Sequence, residues 1–239
     1  MNRYRFYQPT LGQEIYFLSP EESHHAVRVM RLQEGDFMEV VDGLGRMAQA
    51  RLKTVDHQCC QFTVEGWVRE DQPNATLHIG MAPPKNIDRF EWFLEKATET
   101  GVHEITPVIC ERSERKKLRM DRLQKILISA MKQSQRLYIP KLNEPVVFDQ
   151  FISGLSDHPL FMAHASKQFK PEGMLRDQLK EGISVTVLIG PEGDFTLREI
   201  ELAKQQNAKL VYLGPRRLRT ETAGLVATVC FSLLNDQMD

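Results

Sequence analysis

Apolar and polar positions along this chain change their period partway through. Up to about residue 71 the apolar residues fall in short runs that alternate with polar ones. Phe37–Val41, Ala48–Val55 and Cys60–Val68 each show the period of two expected of a half-buried strand. Between the first two, Asp42-Gly43-Leu44-Gly45 is a hairpin signal. One helix interrupts the pattern. Ser19-Pro20-Glu21-Glu22 supplies an N-cap, a proline in the first turn and a capping-box glutamate. The helix so opened carries His24, His25, Arg28 and Arg31 along one face. A strand-rich module of this size predicts a small barrel.

The polar stretch Asp71-Gln72-Pro73-Asn74-Ala75 marks a boundary, dividing the chain into predicted domains 1–71 and 76–239. Beyond it, strand and helix patterns alternate. Strands are predicted over Leu77–Ala82, Ile105–Cys110, Leu160–Ala163, Ser184–Ile189 and Leu210–Leu213. Helices are predicted over Asp88–Thr100, closed by Gly101, and over Asp121–Leu137 and Gly173–Lys180. A further helix opens with the capping box Thr196-Leu197-Arg198-Glu199, and the last runs Thr220–Leu234. Such alternation implies an α/β fold with a parallel sheet covered on both faces.

Composition narrows the functional classes. Hydrophobic residues at 41% and charged residues at 26% of 239 are ordinary for a soluble globular chain. No apolar run approaches the roughly 20 residues that span a bilayer. Met1-Asn2-Arg3-Tyr4-Arg5 lacks the apolar core of a signal peptide, so a cytoplasmic location is expected. Cys59, Cys60, Cys110 and Cys230 form no C-x-x-C pair; buried free thiols are expected and a metal site is not.

The net charge of −1 argues against indiscriminate nucleic-acid binding, but local clusters set RNA affinity. One cluster holds Arg112, Arg115, Lys116, Lys117, Arg119, Arg122 and Lys125, and another holds Arg216, Arg217 and Arg219. Charge runs are usually solvated faces; these two sit at a strand end and inside a loop with other signals.

Those signals are two glycine-marked loops that follow apolar strands. Val185–Ile189 leads into Gly190-Pro191-Glu192-Gly193-Asp194, and Leu210–Leu213 leads into Gly214-Pro215-Arg216-Arg217-Leu218-Arg219-Thr220. Open α/β sheets bind ligands at such strand ends. A phosphate would meet the carboxylates of Glu192 and Asp194, and neither G-x-G-x-x-G nor G-K-[ST] spacing is present. A ligand with adenine, ribose and a positive centre fits better, and S-adenosylmethionine has that make-up.

Gly190-Pro191-Glu192-Gly193, followed by Leu213-Gly214-Pro215-Arg216-Arg217-Leu218-Arg219-Thr220-Glu221-Thr222-Ala223, closely resembles the paired signature of the RsmE family. These are bacterial 16S rRNA (uracil-N3)-methyltransferases of the SPOUT superfamily. The resemblance extends over Glu95–Val102, Ile105-Thr106-Pro107, Glu111-Arg112-Ser113, Gln133-Ser134, Arg136 and Pro140, and covers nearly the whole chain. Asp194 replaces a second glycine and Thr100 replaces a leucine of the family pattern. The resemblance implies a SPOUT-type parallel sheet with a carboxyl-terminal trefoil knot, preceded by a PUA-like RNA-binding domain. It also implies S-adenosyl-L-methionine as cofactor, the 16S rRNA of the small ribosomal subunit as partner, and a homodimer; no metal and no membrane are expected from the cysteine spacing and the apolar run lengths above.

On that pattern Gly190, Gly193 and Gly214 would let backbone close over the cofactor, with Glu192, Thr220, Glu221 and Ala223 beside it. Leu188, Ile189, Leu213 and Leu218 would line the adenine, although core packing accounts for them equally well. Met162 and His164 end another strand and could complete the pocket; His164 reads more readily as a loop histidine than as a catalytic one. Arg219 either stabilises charge on an ionising uracil or pairs with Glu221 or Glu192, and Arg136 could share the catalytic role. Glu221 could equally cap the final helix. No general base announces itself. RNA contacts are expected from His24, Arg28 and Arg31 in the first module and from Arg112, Arg115, Lys116, Lys117 and Arg119 in the second. Rival readings are a non-catalytic RNA-binding protein, a nucleotide-dependent oxidoreductase, and a SPOUT enzyme acting on a ribose 2′-hydroxyl or another base.

Overall fold

The computed structural model describes residues 4–12, 16–155, 158–164 and 171–235. The chain forms two compact units, one of Met1–Gln72 with Ile128–Ile139, the other of Pro73–Leu127 with Pro140–Asp239.

In the first unit β1 (Arg5–Tyr7) lies parallel to β2 (Phe37–Val41), and β3 (Arg46–Thr54) and β4 (Gln61–Arg69) follow antiparallel. Asp42 fixes the β2–β3 turn, its Oδ1 accepting from the N–H groups of Leu44 (2.7 Å) and Arg46 (3.0 Å). Residues 16–18 run along the outer edge of β4, where Phe62 N–H donates to Tyr16 O at 3.0 Å. The side-chain amide of Gln8, just past β1, donates to Phe17 O, so opposite edges meet and the sheet curls upon itself. Phe6, Met38, Val40, Leu52 and Phe62 fill the interior.

The helix of this unit departs from the sequence expectation. Its α-helical part, α1, is Pro20–His24, and His25–Val29 forms a wider π-turn. Arg31 has left the helix altogether, with φ of 56°, so it shares no helical face with His24 and Arg28. The physical cause is the core: Leu32 N–H returns to Ala26 O (3.0 Å), which brings the buried Leu32 inward beside Ala26.

In the second unit β5 (Leu77–Met81), α2 (Ile87–Glu99), β6 (Glu104–Ile109) and α3 (Met120–Gln133) come first. Then follow β7 (Lys141–Leu142), β8 (Val146–Val147), α4 (Phe148–Ser153), β9 (Leu160–Ala163), α5 (Leu175–Gln178) and β10 (Val185–Ile189). The carboxyl end supplies α6 (Leu197–Gln205), β11 (Lys209–Val211) and α7 (Thr220–Asn235). The strands are ordered β11-β9-β10-β5-β6-β7, with β8 pairing β6, and every pairing is parallel. All five residues of β10 are buried, as expected of a central strand covered on both faces.

Helix α2 opens on Asn86, whose side chain accepts from Asp88 N–H, and gives way to Gly101 at φ of 100°. The sequence pattern carried α3 on to Leu137, but it ends at Gln133 and Gln135 turns at φ of 60°. That reversal lets Met131 and Leu137 pack with Val41 and Met47, so residues 128–139 complete the first unit. Strands β7 and β8 and helix α4 had no counterpart in the sequence reading, and α5 is a single turn instead of eight residues. Among the described residues no helix is long and apolar enough to cross a membrane.

Candidate active site

Strands β11, β9 and β10 are neighbours, so their carboxyl ends release three loops at one place. A cavity of about 750 Å³ opens there, within the second unit. Its walls are Ala163 and His164 at the end of β9, Ile189–Glu192 and Asp194 at the end of β10, and Val211–Arg219 at the end of β11. Thr220 and Ala223 of α7 and Arg89 of α2 close it. Thr220 Oγ1 donates to Gly190 O (3.1 Å), which ties the two glycine loops together.

Nine residues expected to touch a cofactor line this cavity, together with Arg219: His164, Ile189, Gly190, Glu192, Leu213, Gly214, Leu218, Thr220 and Ala223. Met162 and Leu188 do not; both are fully buried in the core beneath it. Gly193 is turned away, and a Cβ there would meet Arg112 Cδ at 3.3 Å. Glu221 is buried beside the cavity, with Arg89 Nε 3.8 Å from its Oε1. Arg219 is exposed to the cavity and makes no side-chain hydrogen bond or ion pair among the described residues, so the pairing to Glu221 or Glu192 is not formed. Arg136 lies in the first unit, where its carbonyl accepts from Arg5 Nη1 at 3.4 Å, and is not part of the cavity wall.

Charge is unevenly distributed around the walls. The β10 loop brings Glu192, whose Oε1 accepts from Lys85 N–H (3.1 Å), and Asp194. Asp194 stands at φ of 60°, a conformation that favours glycine. Its Oδ1 accepts from Phe195 N–H (2.9 Å), and its Oδ2 lies 3.3 Å from Nδ1 of the fully buried His164 side chain. The β11 loop brings Arg216, Arg217 and Arg219, and α2 brings Arg89. A ligand with an apolar ring, an anionic end and a cationic centre finds a matching surface for each part. Arg89 was missed in the sequence because it stands a hundred residues upstream of the loops, on a helix face with no local mark.

The basic segment after β6 is partly structural. Arg112 Nη1 donates to Gly193 O (2.7 Å), and Arg115 donates through Nε (3.0 Å) and Nη2 (2.7 Å) to Lys85 O. Arg119 pairs with Asp121 and Arg122 with Glu91. Lys116 and Lys117 are exposed and, among the described residues, make no side-chain hydrogen bond or ion pair. The segment is anchored by Glu199, fully buried, which accepts from Glu111 N–H (2.9 Å) and Thr196 N–H (2.8 Å) while completing the capping box of α6. Burial, with Glu199 nearby, pushes the Cys110 thiol far up, so it stays protonated. Cys59, expected to be buried, is exposed at a turn. In the first unit His24, Arg28 and Arg31 are all exposed. Among the described residues no cluster of His, Cys, Asp or Glu could hold a metal ion.

Comparison with known proteins agrees with this geometry. The family model of an RNA methyltransferase domain matches residues 70–232, and that of an RNA methyltransferase PUA domain matches residues 18–65. The ribosomal RNA small subunit methyltransferase E of Bacillus subtilis is 31% identical, over 91% of this chain and 89% of its own. A probable rRNA-methyltransferase from Porphyromonas gingivalis superposes with a TM-score of 0.89 at 35% identity, over 97% of this chain and 98% of its own. The ribosomal RNA small subunit methyltransferase E of Neisseria gonorrhoeae, solved bound to S-adenosyl methionine, gives 0.83 at 25% identity over 98% of both chains. The chain, with its PUA-like first unit and its parallel-sheet second unit, belongs to the ribosomal RNA small subunit methyltransferase E family.

Proposed function

We propose that this protein transfers a methyl group from S-adenosylmethionine to N3 of a uridine in 16S rRNA, acting in the cytoplasm on the small ribosomal subunit. The observation that carries the reading is the joining of two glycine loops around one cavity whose lining includes the carboxylates of Glu192 and Asp194 and the arginines Arg89, Arg216, Arg217 and Arg219. S-adenosylmethionine, when bound, supplies an electrophilic methyl on a positively charged sulfur. Ile189, Leu213 and Leu218 offer an apolar surface to its adenine, and Glu192 and Asp194 favour its positive centre. Methylation at N3 requires loss of the imide proton, and the resulting charge spreads onto the flanking carbonyl oxygens. Arg219, like Arg216 and Arg217, is an exposed arginine of the wall whose side chain makes no hydrogen bond or ion pair among the described residues, and it is the one to which we assign stabilisation of that charge. Lys116 and Lys117, with His24, Arg28 and Arg31, supply the remaining RNA contacts.

The decisive experiment incubates small subunits from a strain lacking the gene with the enzyme and labelled cofactor, then identifies the nucleoside formed. 3-Methyluridine is expected; label found only as 2′-O-methyl or 5-methyl nucleoside would overturn the reading. Arg219→Ala should lower turnover by roughly 10²–10³-fold, the scale of one lost oxyanion donor, with cofactor affinity retained.

We infer likewise that the carboxyl end is knotted and that the protein is a two-fold dimer. The buried stripe of α7 is Gly224, Ala227, Thr228 and Phe231, which leaves Leu225, Val226 and Val229 half-covered and Leu233 82% exposed. Sedimentation of the full chain at micromolar concentration should give a dimer, and Leu233→Glu should shift it toward monomer; a monomeric native chain would count against this assembly.

A further inference from the structure

Beside the cavity lies a second depression of about 550 Å³, lined by Lys85, Asn86, Arg89, Glu114, Arg115 and Glu192. Arg89 and Glu192 belong to both, so the two spaces adjoin. Three cations converge on the second space, and its two carboxylates are already engaged. Glu192 Oε1 accepts from Lys85 N–H at 3.1 Å, and Glu114 Oε2 pairs with Lys85 Nζ at 2.7 Å. That ion pair is open to solvent, with side chains 72% and 59% exposed. Exposed pairs contribute little, so Lys85 can exchange Glu114 for a stronger anion at small cost. Arg115 is held by its two bonds to Lys85 O, made through Nε and Nη2, which leave Nη1 outside them. Arg89 stands between the two spaces, its Nε 3.8 Å from Glu221 Oε1.

We infer that this depression is a phosphate subsite. It takes a backbone phosphate of the nucleotide whose base enters the neighbouring cavity, with Lys85, Arg89 and Arg115 as the donors. The inference rests on the RNA-methylating reading above. Chemistry on a base requires that the nucleotide leave its stack, and a nucleotide so extruded carries base and phosphate on opposite sides of its ribose. Two adjoining sites, one that offers apolar surface at Ile189, Leu213 and Leu218 and one cationic, match that arrangement. Glu192 joins them mechanically, since the same side chain borders the cavity and holds the Lys85 backbone. The carboxylate of the cofactor is the other anion of suitable chemistry, and the test separates the two.

The test uses the full chain and its Lys85→Gln, Lys85→Arg and Arg89→Gln variants, with Lys180→Gln as an exposed control. Methylation of unmodified small subunits is followed against subunit and salt concentration, and cofactor affinity is measured by calorimetry. In the two glutamine variants of the site, KM for subunits should rise by about 5–20-fold as a charge-assisted contact is lost. The log–log salt dependence should become shallower by about 0.7–0.9. Lys85→Arg should recover most of the loss, and in both Lys85 variants cofactor affinity should stay within about twofold. Uridine 5′-monophosphate should inhibit the native enzyme more strongly than uridine, and that advantage should vanish in the glutamine variants. Unchanged KM and salt slope overturn the inference, as does weakened cofactor affinity with KM intact. If native enzyme forms no product on the subunit, the RNA reading itself has failed; calorimetric titration with the monophosphate and with the nucleoside then still decides the subsite.

Discussion

Asp194 accepts a backbone angle that costs an ordinary residue energy, and its carboxylate shows what is gained in return. The group caps Phe195 N–H and faces His164 while bordering the cavity. Asparagine tolerates the same backbone region and can make the same cap, so Asp194→Asn isolates the charge. A unit charge about 8 Å from a cationic centre is worth about 2 kcal/mol at an effective dielectric of 20. The variant should therefore melt close to the native protein, yet lose roughly 5–30-fold in affinity for S-adenosylmethionine and much less for the uncharged S-adenosylhomocysteine. Calorimetric titration with both ligands checks this; equal losses would make the residue a loop brace alone. The two glycine loops were legible in the sequence because glycine, proline and charge recur there in order. The direction each residue faces was not. Gly193 shares its loop with Gly190 yet packs against Arg112, a contact 81 positions apart that no local pattern encodes.

Helix α7 shows what element-level patterning conveys and what it omits. Its limits and apolar character follow from the sequence, but most of the buried stripe, Gly224, Ala227 and Thr228, is made of small residues. Gly224 lies so close to its neighbours that a Cβ would fall 2.2 Å from Met81 Cε and 2.6 Å from Phe93 Cε2. In an exposed helix, glycine to alanine would stabilise by about 1 kcal/mol. Here overpacking outweighs propensity, at about 1–3 kcal/mol. Gly224→Ala should lower the melting temperature by several degrees, given about 2–4 °C per kcal/mol in a chain of this size. Scanning calorimetry reads the change, and a higher melting temperature would show that α7 can move aside. The short elements β7, β8 and α4 escaped the sequence reading for a related reason: two to six residues carry no measurable period.

At the scale of the whole molecule, a polar network inside the sheet sets a pH dependence. His78 Nε2 lies 2.7 Å from Thr106 Oγ1, and Asn143 Nδ2 bridges Thr106 and Glu104 at 2.7 Å each. Burial holds His78 below its ordinary value of 6.5; Glu104 opposes that shift and Lys141 adds to it. Burial pushes the Glu104 carboxyl up, but hydrogen bonds from Lys141 and Asn143, with nearby positive charge, outweigh it and keep it below 4.5. The unfolded chain therefore binds a proton at His78 that the folded state refuses. This contribution is whole above pH 6.5 and declines as the pH falls, with Glu104 adding a second decline below pH 4.5. Urea midpoints should drop between pH 7 and pH 5, and less steeply in His78→Gln; parallel declines would exclude His78 as the source.

The return of residues 128–139 to the first unit has a consequence for biosynthesis. Domains of a nascent chain usually finish in order, the amino-terminal one first. Here Tyr7, Val41 and Met47 wait for Met131, Leu137 and Ile139 before their side of the first unit is covered. More than half of the chain must leave the ribosome before the unit that begins first can close. A fragment ending at Gln72 would leave that apolar face open to water and to other chains. The two units are thus interleaved in time as well as in sequence, and neither can be exchanged between relatives by a single cut.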